Sequence, residues 1–230
     1  MSRNIKLAPG ELYHLYNRGT EKRKIFMRKS DYDRFLVLLY LCNSTRPVRI
    51  DDLTQGRTLR ELFTDEREET LIDLCAYCLM PNHFHLLVRE KVENGISRFM
   101  QKLLTAFTMY FNTRHERAGA LFQGKYQARH VDDDRYLKYL LSYIHLNPVK
   151  LIEPQWKEIG ITNHSRAEKW LENYWHSSFP DYNGNKRIER RILNMSALKE
   201  YYDCTAPSDF KKSVTEWLDY QPLSARSNLA

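Results

Sequence analysis

The sequence predicts an α+β fold: a ferredoxin-like, split-βαβ antiparallel sheet with two helices on one face, an added helix after the fourth strand, and a helical C-terminal extension. Three observations carry this. Segments with period-two and period-3.6 apolar spacing follow one another as β-α-(insert)-β-β-α-β-α through residue 150. The central pair of strands is separated only by Pro81-Asn82, which reads as the turn of a β-hairpin. Beyond Lys150 the chain turns aromatic and basic (Trp156, Trp170, Trp175, His176, Arg187, Arg190, Arg191), with helices expected over 187–202 and 209–220.

Each element has its own signal. Leu12, His14 and Tyr16 alternate with Tyr13, Leu15 and Asn17, and the run stops at Arg18-Gly19-Thr20, so a strand is followed by a turn. Ser30-Asp31 offers an N-cap to a helix over 31–43, where Tyr32, Phe35, Leu36, Leu39 and Tyr40 fall at helical spacing. Residues 44–70 are polar and acid-rich within a basic chain. They read as an inserted, partly helical excursion, modestly anchored by Leu53, Leu59 and Leu62-Phe63. Segments 71–80 and 83–90 alternate on either side of the hairpin turn. Residues 95–117 form an amphipathic helix striped by Ile96, Phe99, Met100, Leu103, Leu104, Phe107, Tyr110 and Phe111. Residues 126–131 supply the last strand. Asp132, Asp133 and Asp134 then start the added helix, where its dipole favours acids. Pro148 ends it near Leu146, because the residue before proline is pushed out of α geometry. Residues 1–150 thus read as one domain with an insertion at 44–70, and 151–230 as a helical, basic-aromatic extension. Two helices on one side leave the other face of the sheet exposed.

Composition narrows the function classes. An aromatic content of 13% excludes a wholly disordered chain. Thirty-six Lys and Arg against twenty-nine Asp and Glu leave a net charge of +7, which favours polyanionic partners, nucleic acid among them. The longest apolar run, residues 35–42, falls far short of the ~20 residues a membrane helix needs. The N-terminus develops no signal-peptide core. Four cysteines (Cys42, Cys75, Cys78, Cys204) are too few and too irregular for a disulfide framework, so a reducing cytoplasm is expected.

Three constellations carry chemistry. In Pro81-Asn82-His83-Phe84-His85-Leu86-Leu87-Val88, strand alternation sends Phe84, Leu86 and Val88 to the core and projects His83 and His85 together from the opposite face. Two such imidazoles are half a site for a divalent cation, or simply two solvated histidines on an open face. Cys75 and Cys78 invite a zinc reading. Residues three apart on a strand face opposite sides, however, and the spacing to the histidines is too short for a finger, so buried free thiols are favoured. In the second constellation, Tyr143 and Asn147 share one face at the end of the added helix. An amide oxygen can complete the shell of a hard cation, and the tyrosine can then present its phenol to a phosphate held there. The alternative is a packed tyrosine beside an asparagine that ends the helix. Third, Arg18, Lys22, Arg23, Lys24, Arg28 and Lys29 crowd the first turn, and Arg114, Lys125 and Arg129 surround the approach to the last strand. Interleaved with aromatics, they suit single-stranded nucleic acid; a solvated basic loop is the plain alternative.

Four strings together resemble one family: Tyr13-His14-Leu15-Tyr16-Asn17-Arg18-Gly19, Met80-Pro81-Asn82-His83-Phe84-His85-Leu86-Leu87-Val88, Leu121-Phe122-Gln123-Gly124-Lys125-Tyr126 and Tyr143-Ile144-His145-Leu146-Asn147-Pro148. They look like the signatures of REP-associated tyrosine transposases, a branch of the single-tyrosine HUH transposases of bacterial insertion sequences. The resemblance spans about residues 10–150. It implies that His83 and His85 are paired metal ligands and that Tyr143 is the nucleophile. Asn147 stands where the insertion-sequence relatives carry a glutamine ligand, as in the REP-associated branch.

By that resemblance, the chain is expected to be a single-strand-specific DNA endonuclease and strand transferase dependent on Mg²⁺ or Mn²⁺. It is expected to act beside DNA hairpins through a 5′-phosphotyrosine, as a monomer or homodimer, with Arg18, Lys22, Arg23, Lys24, Arg114, Lys125 and Arg129 contacting DNA. Two other readings stand beside it. A domesticated nucleic-acid-binding protein of the same fold needs no nucleophile, and a hydrolytic metallo-phosphodiesterase makes Tyr143 dispensable.

Overall fold

Four strands hydrogen-bond into one antiparallel sheet in the computed structural model, which describes residues 5–47, 55–198 and 207–216. They are β1 (Leu12–Arg18), β2 (Ile72–Met80), β3 (His83–Glu90) and β4 (Gln127–His130), in the spatial order β2-β3-β1-β4. Every neighbouring pair is antiparallel, as the split-βαβ plan requires. Helices α1 (Lys29–Leu41) and α2 (Gly95–Arg114) cover one face. Alternation decides what meets them: Tyr13, Leu15, Phe84, Leu86 and Val88 enter this layer with Phe35, Leu39, Phe99, Leu103 and Phe107. Phe35 bridges the layers, its ring 5.2 Å from that of Phe84 and 4.9 Å from that of Phe107.

Helix α1 begins two residues before the predicted start. Asp31 is not an N-cap residue. It is fully buried, and its Oδ2 accepts the backbone N–H groups of Met27 (2.8 Å) and Arg28 (2.9 Å) from inside the first turn. Its Oδ1 takes the Tyr110 hydroxyl and His115 Nε2, each at 3.1 Å, so one carboxylate ties α1 to α2. The 44–70 excursion is anchored more firmly than its polarity suggests. A 3-10 turn at Glu61–Thr64 buries Leu62 and Phe63, and the Tyr40 hydroxyl donates to the Asp65 carbonyl at 2.6 Å. Its residues 48–54, Leu53 included, lie outside the described residues.

The second face is not exposed, contrary to the two-layer expectation. Helix α3 (Asp134–Leu146) lies across it, packing Leu137, Leu140, Leu141 and Ile144 among Leu12, Cys75, Ala76, Cys78 and Leu87. An apolar stripe that wide is unstable in water, and the outer sheet face is the surface that removes it. Cys75 and Cys78 both join this layer despite their three-residue spacing, because a β-bulge between Leu74 and Ala76 shifts the register of β2. They and Cys42 are buried free thiols; Cys204 lies outside the described residues.

The C-terminal segment contributes α4 (Trp156–Ile159), α5 (His164–Glu172), α6 (Phe179–Tyr182) and α7 (Pro207–Thr215). Between α5 and α6 the chain runs along the free edge of β2: Leu79 N–H donates to the His176 carbonyl and Ser178 N–H to the Tyr77 carbonyl, both at 2.9 Å. An edge strand left bare would invite pairing with another chain. Ser178 also holds α3. His145 Nδ1 donates to the Leu141 carbonyl (2.8 Å), which leaves Nε2 to accept the Ser178 hydroxyl (2.8 Å). Arg187 fastens the same stretch through a buried pair with Asp181 and hydrogen bonds to the carbonyls of Trp175 (2.7 Å) and Ser177 (2.6 Å).

The helix predicted over 187–202 is instead two 3-10 turns, Ile188–Ile192 and Met195–Leu198. Leu193 is extended between them, and the Asn194 N–H is drawn to the Leu74 carbonyl at 2.8 Å, a tertiary bond that interrupts any helical ladder. The helix predicted over 209–220 starts at Pro207 and includes residues to Thr215. Residues 199–202 and 217–220 of these two predictions lie outside the described residues. Among the described residues, no helix is long and apolar enough to cross a membrane.

Candidate active site

His83 and His85 leave β3 on the α3 side, as alternation requires, and β1 runs antiparallel beside them. The register sets Arg18 opposite His83 and Tyr16 opposite His85, so His14 and Tyr16 share the face of the two histidines. Tyr143 descends from α3 onto this group. Its ring meets His85 edge-on at 5.4 Å between centroids and lies 6.4 Å from His14. The predicted nucleophile and the predicted histidine pair are therefore neighbours within one chain.

The hydrogen bonds around the histidines decide which nitrogens are free. His83 Nδ1 stands 2.7 Å from Asn82 Oδ1. An amide oxygen only accepts, so Nδ1 carries the proton and Nε2 keeps its lone pair. His85 Nδ1 lies 2.9 Å from His14 Nε2. When His85 donates along this contact, its own Nε2 is likewise a free lone pair. Metal-ligating histidines usually have their second nitrogen held in this way. Burial, helped by neighbouring cations, holds His83 down to about 4, and burial pushes His85 well below the ordinary imidazole value. Both rings are neutral at physiological pH, the form in which imidazole ligates. Among the described residues, no three His, Cys, Asp or Glu side chains converge as a metal site. A cation here would therefore rest on two imidazoles completed by other oxygens.

Asn147 is buried directly below Tyr143, at the C-terminus of α3. Its Nδ2 donates to the Tyr143 carbonyl at 2.8 Å, which fixes the amide and leaves Oδ1 as the atom available for a cation. Burial raises the Tyr143 phenol above its ordinary value, and Asn147 opposes that rise.

The basic turn is built onto the same end of the sheet. Gly19 N–H donates to the Asn82 carbonyl (2.9 Å), Thr20 N–H to Leu121 (3.0 Å), and Gln123 N–H to Arg18 (2.8 Å). Gly19 admits no side chain, since a Cβ there would stand 2.3 Å from the Arg23 carbonyl oxygen. Arg18, Lys22 and Lys24 are exposed on this rim, and Arg23 is partly held by Glu21. Lys125 is exposed just beyond the loop that grips Arg18. Arg129 pairs with His14 in register and lies over the Tyr136 ring at 4.5 Å. Arg114 belongs to the other layer, at the end of α2.

Two residues beside this group were not singled out from the sequence. His14 sits in a quoted motif, and the alternation of β1 already grouped it with Tyr16. Its meeting with His85 needs the β1–β3 register, which no local pattern reveals. Lys157, on α4, reaches Tyr143 with its Nζ 3.3 Å from the phenol oxygen and 4.4 Å from the ring centroid. No sequence signal marks it.

Residues 13–147 match the family described as "Transposase IS200 like". No curated protein matches the chain. Among solved structures, one titled "Structure of the REP associates tyrosine transposase bound to a REP hairpin" is similar over 82% of this chain and 90% of that one, at 13% identity and a TM-score of 0.47.

Proposed function

The chain belongs to the IS200-like transposase family, and from that premise we propose a metal-dependent, single-strand-specific DNA endonuclease and strand transferase with Tyr143 as nucleophile. The observation that carries the reading is the meeting of Tyr143 with His85 in one chain, beside histidines whose Nδ1 atoms are already engaged. Tyr143 Oη attacks a phosphorus, the bond to the 3′ oxygen breaks, and a 5′-phosphotyrosine and a free 3′-hydroxyl result. The ester keeps the phosphate activated, so a second 3′-hydroxyl can rejoin it without ATP. His83 and His85, with the Asn147 oxygen, fit a divalent cation. Bound there, Mg²⁺ or Mn²⁺ supplies charge stabilisation to the phosphoryl oxygens. Imidazole chemistry alone does not choose among metals; the choice of Mg²⁺ or Mn²⁺ follows the family resemblance.

The test is a denaturing gel after incubation with labelled single-stranded oligonucleotides and Mn²⁺. A covalent protein–DNA band supports the transferase. Cleavage without it supports the hydrolase, and oligonucleotide binding with neither supports a binding protein.

Because α3 roofs the outer sheet face, the scissile phosphate does not lie across an open sheet. Its proposed approach is from the rim where the hairpin turn, the 18–24 turn and the 121–124 loop are hydrogen-bonded together beside His83. Replacing Arg18, Lys22, Arg23 and Lys24 together by alanine is expected to weaken oligonucleotide binding. It should also flatten the slope of log affinity against log salt by about 2 to 3, at roughly 0.7 per phosphate contact on a single strand. An unchanged slope in a filter-binding titration would mark the turn as solvated surface.

A further inference from the structure

We propose that Lys157 is a further catalytic residue, the base that takes the Tyr143 proton as its oxygen attacks phosphorus and returns it when the strand is rejoined. The inference rests on the Tyr143 reading above and deepens it. Lys157 lies ten positions beyond the end of the family match at residue 147, so nothing in the family signature assigns it.

Geometry carries the inference. The Nζ–Oη distance of 3.3 Å puts the amine on the attacking atom itself. Lys157 is half-buried, and no ion pair among the described residues includes it. Its amine lies over the rings of Tyr143 (4.4 Å) and Trp156 (5.8 Å), with the charge of Glu158 acting on it but no ion pair formed. The backbone around it is fixed rather than draped. Glu153 accepts the N–H groups of Thr162 (2.7 Å) and Asn163 (3.2 Å), folding 153–163 back on itself, and Trp170 Nε1 clamps the Pro148 carbonyl at 2.9 Å. The groups facing Tyr143 are His14 from β1, Cys78 from β2, His85 from β3, Tyr139 and Asn147 from its own helix, and Lys157 from α4. Of these, Lys157 has its nitrogen in hydrogen-bond contact with the phenol oxygen. Burial lowers its pKa, and Glu158 opposes that shift.

The proton balance closes in both directions. In cleavage the Oη–P bond forms, the P–O3′ bond breaks, the phenol proton passes to Nζ, and the departing 3′ oxygen takes a proton from solvent. In rejoining, the incoming 3′-hydroxyl loses its proton to solvent, the P–Oη bond breaks, and the ammonium returns its proton to the phenolate.

The experiment uses the full chain with Mn²⁺ and a labelled pool of oligonucleotides, each carrying a hairpin beside a randomised single strand. Formation of the covalent adduct is followed in a single turnover, alongside binding of the same pool. Lys157→Ala is expected to slow adduct formation by about 100-fold or more, the lower range for loss of a general base, with binding within about twofold. Methylamine should restore at least about tenfold of that loss in Lys157→Ala and leave the unmodified protein unchanged. Lys157→Arg should remain slow, because guanidinium does not give up its proton. An adduct rate within about threefold in Lys157→Ala, or full recovery in Lys157→Arg, overturns the proposal. So does a loss of binding that matches the loss of rate, since Lys157 would then be a phosphate contact. If the unmodified protein forms an adduct that Tyr143→Phe abolishes while Lys157→Ala retains it, only the Lys157 proposal falls. If the unmodified protein forms none, both readings fall.

Discussion

Tyr143→Phe is expected to abolish the covalent protein–DNA adduct while leaving oligonucleotide binding nearly unchanged. The substitution deletes one oxygen and keeps the ring, so the edge-on contact with His85 and the stacking on Tyr139 at 6.0 Å survive. The hydrogen bond from Asn147 to the Tyr143 backbone carbonyl also survives, while the amide's interaction with the phenol is lost. What disappears is the attacking atom and the partner of Lys157. Losing a covalent nucleophile costs on the order of 10⁴ to 10⁶ in rate, which takes the adduct below detection on a denaturing gel. A band that persists in the variant would move the nucleophile elsewhere, first to Tyr139 or Tyr136 on the same helix.

Nearly as large an effect is expected at the histidines. His83→Ala or His85→Ala should eliminate cleavage, and EDTA should do the same to the unmodified protein, with activity returning when Mn²⁺ is added back in excess. Each substitution removes one of the two imidazoles proposed to hold the cation, and among the described residues no cluster of three or more His, Cys, Asp or Glu stands ready to replace it. Asn147→Ala is expected to be milder if its oxygen meets the metal through water, and as severe as the histidine changes if it binds directly. Undiminished cleavage in EDTA would falsify the metal assignment, whatever the histidine variants did. Mn²⁺ titration followed by electron paramagnetic resonance separates lost metal binding from lost folding, since a folded His85→Ala should leave the free-Mn²⁺ signal undiminished.

Local patterns reached a good part of this architecture, and the misses share a cause. Period-two spacing in β1 and β3 and the two-residue hairpin turn between β2 and β3 are short-range facts. They placed the strands within a residue or two and put His83 and His85 on one side. The covering of that side by α3 was not legible, because an amphipathic stripe says that a helix must be buried and not against which surface. Residues 187–202 mislead for the opposite reason: helix-compatible residues are overridden by bonds from Asn194 to Leu74 and Asp73, more than a hundred positions away. Asp31 looked like the N-cap but sits inside the first turn, where one oxygen takes the Met27 and Arg28 N–H groups and the other meets Tyr110 and His115. At the candidate site, the residues proposed to ligate or attack carry motif signals. Those that only touch them, His14 and Lys157, depend on strand register and on a loop fold that no spacing rule encodes.

The latch from His145 through Ser178 to β2 has a genetic consequence. Helix α3 is pinned to its own sheet on both sides, by its apolar stripe below and by the edge-pairing segment that Ser178 belongs to. If Tyr143 is the nucleophile, a tyrosine fastened in this way is expected to serve its own chain. Co-expressing a Tyr143→Phe chain with a His83→Ala chain should therefore restore no cleavage, because each defect stays with the polypeptide that carries it. In a cell holding several gene copies, a damaged copy would be silent rather than dominant, because its product would neither poison nor borrow from an intact chain.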